Sequence, residues 1–199
     1  MSAILRRATA EDAAGVQSIY APYCTGSVAS FELQAPSVEE MARRLEAVTT
    51  RNPWLLLESD GRPAGYAYAT IHRERAAYQW SVDTFVYIAQ EYHARGAGTA
   101  LYTTLIAILT LQGYYKAFAG ITLPNPASIA LHEKMRYLPV GIYRGVGYKN
   151  GEWRDVAWYQ RKLREETPTP AAPMSIEEVR SMPEYEQAFE DGAALLRAR

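Results

Sequence analysis

The chain has 199 residues, 48% of them hydrophobic and 22% charged, with a formal net charge of −1. That length supports one α/β-type domain with a sizeable core, and the balanced charge excludes the broad cationic field that grips nucleic acid or anionic lipid. A small-molecule partner is expected, with no nucleic acid and no membrane.

The opening Met1-Ser2-Ala3-Ile4-Leu5-Arg6-Arg7 lacks the apolar core of a signal peptide. No stretch approaches the roughly 20 apolar residues that span a bilayer, so a cytoplasmic location is expected. Cys24 is the single cysteine and is read as a core thiol, while His72, His93 and His132 are too scattered to suggest a metal site.

In chain order, Ile4 to Arg7 reads as a strand, and Thr9 with Asp12 forms a capping-box pair opening a helix through Val16, Ile19 and Tyr20. Ser37 and Glu40 open a second helix, with Met41, Leu45 and Val48 at helical spacing, and Pro53 closes it. The apolar run Trp54 to Leu57, the hairpin signal Asp60-Gly61 and the alternating stretch Pro63 to Ile71 predict two antiparallel strands, with Gly65 marking a bulge.

A strand over Thr84 to Ala89 leads into Arg95-Gly96-Ala97-Gly98-Thr99 and a helix from Gly98 to Gln112, with Gly113 at its C-cap. Ala117 to Leu123 follows as a strand, then a short helix capped by Asn125 with Pro126 at its first position. Two closing strands, Pro139 to Val146 and Glu152 to Arg161, meet at Asn150-Gly151. The order βααβββαβαββ predicts an α+β fold with a central, mostly antiparallel mixed sheet flanked by helices.

From Arg164 the composition changes, and Thr167-Pro168-Thr169-Pro170-Ala171-Ala172-Pro173 reads as a stiff extended linker. The predicted organisation is a domain over 1–163, a linker over 164–174 and a helical extension over 175–199. Ser175 and Glu178 cap that extension, and Tyr185, Phe189, Leu195 and Leu196 give it an apolar face. Docking on the core, docking on a second subunit and a solvated appendage all remain open.

The glycine turn between the apolar Phe85-Val86-Tyr87-Ile88 run and a long helix would aim backbone amides and a positive helix end at one point. That arrangement suits an anion, with Thr99 adding a hydroxyl and Arg95 a charge, although a structural turn uses the same residues. Neither the P-loop ending nor a third glycine at Rossmann spacing is present.

Three longer pieces carry more: Arg75-Ala76-Ala77-Tyr78-Gln79-Trp80, the stretch Asn125 to Glu133, and Gly147-Tyr148-Lys149-Asn150-Gly151-Glu152-Trp153-Arg154-Asp155-Val156. On these, residues 3 to 163 resemble the GNAT superfamily, specifically its phosphinothricin and methionine sulfoximine N-acetyltransferase branch. The resemblance implies the GNAT fold and acetyl-CoA as co-substrate, lying along Val86, Tyr87 and Ile88. It places the pyrophosphate on Arg95, Gly96, Ala97, Gly98 and Thr99, with Asn125 and Ser128 also on the cofactor side.

It further implies acetylation of an amino acid's α-amine, and a homodimer paired through the closing hairpin. A GNAT enzyme for another amine and a non-catalytic acyl-CoA-binding module are the alternatives. Three departures stand out: Asp83 where the family usually has glutamate, His93 where a glutamine or arginine opens the loop motif, and Met135-Arg136-Tyr137 where Leu-Gly-Phe or Leu-Gly-Tyr is usual.

An α-ammonium, with a reference pKa of about 8, must lose a proton before it attacks a thioester. Asp83 is the carboxylate best placed to accept it through water, against a plain reading as a surface or cap aspartate. His132 could share in proton transfer or be a satisfied structural histidine, and Asn125 could bond the pantetheine arm, cap its helix, or do both. For the acceptor, Phe31 could form an apolar wall while Arg75 and Tyr78 bind an anionic group, the plain reading being a solvated arginine beside a core tyrosine. Direct attack on the thioester needs no covalent acyl-enzyme, so Cys24 has no part in it.

Overall fold

The computed structural model describes residues 3–197. Met1, Ser2, Ala198 and Arg199, which end the predicted 1–163 and 175–199 segments, lie outside the described residues.

Alternation of side chains in the second strand explains the layering. The strands are β1 (Ala3–Arg7), β2 (Trp54–Ser59), β3 (Arg62–Ile71), β4 (Ser81–Ile88), β5 (Lys116–Thr122), β6 (Leu138–Lys149) and β7 (Glu152–Lys162). The helices are α1 (Ala13–Thr25), α2 (Val38–Thr49), α3 (Ala97–Gln112), α4 (Pro126–Lys134), α5 (Ile176–Arg180) and α6 (Pro183–Arg197). Leu55 and Leu57 of β2 join the core built on α3, whereas Trp54 and Leu56 join the core under α1 and α2. Period-two alternation thus feeds two apolar layers, one on each face of the sheet.

The sheet runs β1-β2-β3-β4-β5-β7-β6, with every pairing antiparallel except β4 with β5. This is the predicted α+β arrangement in the predicted element order. The hairpin turns form where expected, with positive φ at both central residues, Asp60 and Gly61, then Asn150 and Gly151. The β2–β3 register slips between Leu57 and Glu58, which pair with Gly65 and Pro63, so the bulge falls beside Gly65 as its position suggests.

One boundary differs from expectation in a way that matters. β4 begins at Ser81, because Ser81, Val82 and Asp83 pair with Lys116, Ala117 and Phe118 of β5. Asp83 therefore lies inside the strand. After α4, the turn that the family usually makes with glycine is made by Arg136 at φ 61°.

The extension packs on its own chain: Ile176, Val179, Tyr185 and Ala188 are buried in the α3-side core, and Thr104 Oγ1 of α3 donates to Ala188 O at 2.8 Å. Gly192 lets α6 approach closely, since a Cβ there would stand 2.1 Å from Thr104 Oγ1. Among the described residues no helix is long and apolar enough to cross a membrane.

Candidate active site

The site begins where β4 and β5 part. Their pairing covers only Ser81–Asp83 against Lys116–Phe118, so beyond Asp83 the two edges diverge. Thr84 ties the apex, donating from Oγ1 to Phe118 O at 2.9 Å while its hydroxyl meets Tyr137 Oη at 2.8 Å.

Hydrogen-bond alternation then decides what the open edge offers. His72 N–H donates to Ser81 O, and Ala89 N–H to Ala64 O, which fixes the odd residues of β4 as those bonded to β3. The amides of Val86 and Ile88 consequently face the opening. Ile88 O already accepts from Tyr23 Oη at 2.6 Å, whereas Val86 offers both its N–H and its C=O.

A cavity of about 520 Å³ fills this opening. Thr84 to Ile88 form one wall, Ala119 to Thr122 the other, and the start of α3 with α4 forms the end. Gly96 caps α3 at φ 85°, and the first intrahelical bond is Ala100 N–H to Gly96 O. The amides of Ala97, Gly98 and Thr99 lack helical partners and line the cavity, giving an anion a helix N-terminus to bind. Lys134 Nζ lies 3.3 Å from Thr99 Oγ1, so a cation from α4 stands at the same point.

Gly98 has a second reason to be glycine. A Cβ there would stand 2.8 Å from Leu131 Cδ2, so the residue also permits α3 and α4 to close on each other. Arg95 does not line the cavity; its guanidinium lies 5.8 Å from the Tyr92 ring centre, exposed. His93 turns back onto Ile88 O at 3.0 Å and Tyr23 Oη at 3.1 Å.

Asn125 caps α4, its Oδ1 accepting from Ser128 N–H at 3.1 Å, and both residues line the cavity. His132 lines it too but is 97% buried, being 3% exposed. Ser128 O, which only accepts, lies 2.7 Å from Nδ1, so Nδ1 carries the proton. Nε2 then accepts from Tyr102 Oη at 2.9 Å. Burial lowers the His132 pKa from its ordinary value of 6.5, keeping the ring neutral with both nitrogens engaged.

On the opposite face, Asp83 Oδ1 lies 2.7 Å from His72 Nδ1. Burial raises the Asp83 pKa above its ordinary value, against the opposing pull of His72. His72, Arg75 and Tyr78 line one open depression, with the Tyr78 ring 5.9 Å from His72. Phe31 is positioned by a different set of contacts: its ring covers Gly147 of β6, where a Cβ would come within 2.3 Å of Cε2.

The loop over 26–37 that carries Phe31 is held by Lys149, which is 3% exposed. Its ammonium donates to Cys24 O at 2.6 Å, Ser30 O at 2.6 Å and Glu32 O at 2.9 Å. Cys24 is itself buried and free.

Sequence reasoning passed over His72, Tyr102, Lys134 and Lys149. Only Lys134 left a usable signal, a basic residue at the end of a helix packed beside a proposed anion site. Among the described residues no group of three or more His, Cys, Asp or Glu could hold a metal ion.

A strand pair that splays at a half-buried acid and opens onto free helix amides defines an acyl-CoA-type transferase fold, and comparison with known proteins agrees. The acetyltransferase (GNAT) domain model matches residues 5–158, and the chain belongs to that family. The phosphinothricin N-acetyltransferase of Streptomyces viridochromogenes is 38% identical over 170 residues, which span 85% of this chain and 92% of that protein. An L-methionine sulfoximine/L-methionine sulfone acetyltransferase of Pseudomonas paraeruginosa is 29% identical over 87% of this chain and all of its own length. In structure, the chain is similar to a phosphinothricin acetyltransferase of Sinorhizobium meliloti solved with acetyl-CoA: TM-score 0.82, 36% identity, covering 86% of this chain and 94% of that one.

Proposed function

We propose that the chain is an acetyl-CoA-dependent N-acetyltransferase acting on the α-amino group of a small amino-acid-like acceptor of the phosphinothricin or methionine sulfoximine kind. The observation that carries this reading is the opening beyond Asp83, a peptide edge that runs directly onto the free amides of α3. A coenzyme A thioester fits there: Val86 matches the amides of a pantetheine arm, and Ala97, Gly98, Thr99 and Lys134 match a pyrophosphate. Bound acetyl-CoA would supply the acetyl group as an activated thioester.

The remaining work falls to the chain's own residues. Arg75 and Tyr78 hold the acceptor's anionic group, the amine loses a proton at the Asp83 end of the cleft, and β4 amides stabilise charge on the carbonyl oxygen. His132 keeps a neutral place, fixing Tyr102 and the wall formed by α4. Exposed Leu138, Val140, Ile142, Val146 and Trp153 on the β6–β7 hairpin support a homodimer through that face, and light scattering at micromolar concentration should return a dimer mass.

The test is thiol release from acetyl-CoA against phosphinothricin, methionine sulfoximine and common amino acids, with Asp83→Ala alongside. The variant should lose about 10²–10³-fold in kcat/KM. In the wild type, kcat/KM should fall with decreasing pH through a carboxylate value above the ordinary 3.8. Full activity of Asp83→Ala would remove Asp83 from the reaction, and acetyl-CoA binding without thiol release across the panel would make the chain a binding module.

A further inference from the structure

We propose that His72 is the base that takes the acceptor's proton, and that Asp83 is a positioning residue acting through it. The assignment rests on the acetyl-transfer reading above and names the group that performs its proton step.

Placement is the first argument. Thr70 pairs with Asp83, and His72 N–H bonds Ser81 O at 3.2 Å, so His72 and Asp83 are diagonal neighbours on one face of the β3–β4 ladder. The imidazole lies flat on Phe118, with ring centres 4.4 Å apart and planes 19° apart. Tyr78 and Trp158 meet it edge-on at 5.9 Å and 6.3 Å. Carboxylate, floor and walls together fix the ring.

Protonation is the second. An ionised carboxylate only accepts, so in the neutral ring the short Asp83 contact puts the proton on Nδ1 and leaves the Nε2 lone pair free. Nε2 has no protein hydrogen bond among the described residues, nor is it one of the buried unpartnered polar atoms, so it reaches solvent. His132 shows the contrasting case, with both nitrogens occupied.

Access is the third. Asp83 lines neither the β4–β5 cavity nor the depression, whereas His72 shares the depression with Arg73, Glu74, Arg75 and Tyr78. An acceptor carboxylate drawn to Arg75 would bring its α-ammonium to the imidazole side of the pair. The one-methylene deficit of aspartate is thereby made up by a ring standing between the acid and the acceptor.

The proton count closes. Nε2 of His72 takes one proton from the acceptor ammonium, and the freed lone pair forms the N–C bond to the thioester carbonyl. The C–S bond breaks with its electron pair on sulfur, the second nitrogen proton goes to that thiolate, and His72 returns its proton to solvent. The products are the amide, free thiol and one proton.

Rescue kinetics on the full chain test this. His72→Gly should lose about 10²–10³-fold in kcat/KM for the acceptor, with the acetyl-CoA KM within about twofold of wild type, and added free imidazole should recover about tenfold or more. Adding Asp83→Asn to His72→Gly should cost less than about threefold further, because the two act as one unit. His72→Asn, which can still donate to Asp83 but cannot take a proton, should be as slow as His72→Gly, and it covers the case in which the glycine variant misfolds. Full activity of His72→Asn, or a second full loss from Asp83→Asn without imidazole rescue, would return the base role to Asp83. A wild type that releases no thiol with any acceptor overturns the transferase reading and this assignment with it, whereas wild-type turnover with an active His72→Asn overturns this assignment alone.

Discussion

On the proposed acetyl-transfer reading, the donor and acceptor ends of the site are built from different material. In the part assigned to the donor, the available groups are mainly peptide: the Val86 edge of β4 and the amides of Ala97, Gly98 and Thr99, with Lys134 as the added charge. The part assigned to the acceptor is made of side chains: His72, Arg75 and Tyr78 from the β3–β4 connection, Asp83 just inside β4, and Phe31 on a distant loop held by Lys149. A main-chain site is specified by where chain direction and glycine fall, so substitutions disturb it through shape. A side-chain site is specified by register and support, so it fails when a residue far from the chemistry lets go.

Removing the Lys149 ammonium should have the largest effect on stability and should separate the two ends. Lys149→Met leaves the carbonyls of Cys24, Ser30 and Glu32 facing an apolar chain, at a cost of about 2–4 kcal/mol. Chemical denaturation should show that loss. Steady-state kinetics should show a raised KM for the acceptor with the acetyl-CoA KM unchanged; equal changes in both would mean that the loop serves the whole cleft.

Gly98→Val probes the donor end by shape. Its side chain would overlap Leu131, forcing α3 and α4 apart at a cost of about 1–3 kcal/mol. Here the acetyl-CoA KM should rise about tenfold or more, with the acceptor KM nearly unchanged, the reverse of Lys149→Met. Unaltered acetyl-CoA binding would place the pyrophosphate elsewhere.

His132 ties the donor wall to pH. Burial holds its folded pKa below the ordinary 6.5, so on acidification the unfolded chain binds a proton that the folded chain refuses. Stability contributed by the neutral ring is therefore present above about 6.5 and declines below it, with a slope of up to about 1.4 kcal/mol per pH unit. His132→Leu should remove that component, and parallel pH–stability curves for variant and wild type would show the ring to be solvated.

The same division explains what could be read from sequence. Thr9 with Asp12, Ser37 with Glu40, Asn125-Pro126, Gly113 and the two hairpin pairs are local signals, and each marks an element end within a few residues. The donor end follows from them because it is an element end. His72 and Asp83 meet only through the β3–β4 register, and no local pattern announces a diagonal pair across an irregular connection. Nothing local to Lys149 beside its Asn-Gly turn marks it as buried, and packing of the loop over 26–37 against β6 is what buries it. The early start of β4 was hidden because Ser81 and Asp83 are polar residues held by neighbours on both sides.

Arg136 gives the smallest and most local test. The departure from the family's usual glycine leaves a side chain at φ 61°, where Tyr137 N–H bonds His132 O at 2.9 Å to end α4. An L-residue in that region costs about 1–2 kcal/mol, and glycine would relieve it at an entropic cost of about 0.5–1 kcal/mol. Arg136→Gly should then gain about 0.5 kcal/mol, a rise of roughly 1–2 °C in Tm, with kcat/KM unchanged. A lower Tm would mean that the exposed Arg136 side chain contributes more than its backbone strain costs, and a changed kcat/KM would mean that the end of α4 reaches the donor wall that His132 and Tyr102 hold.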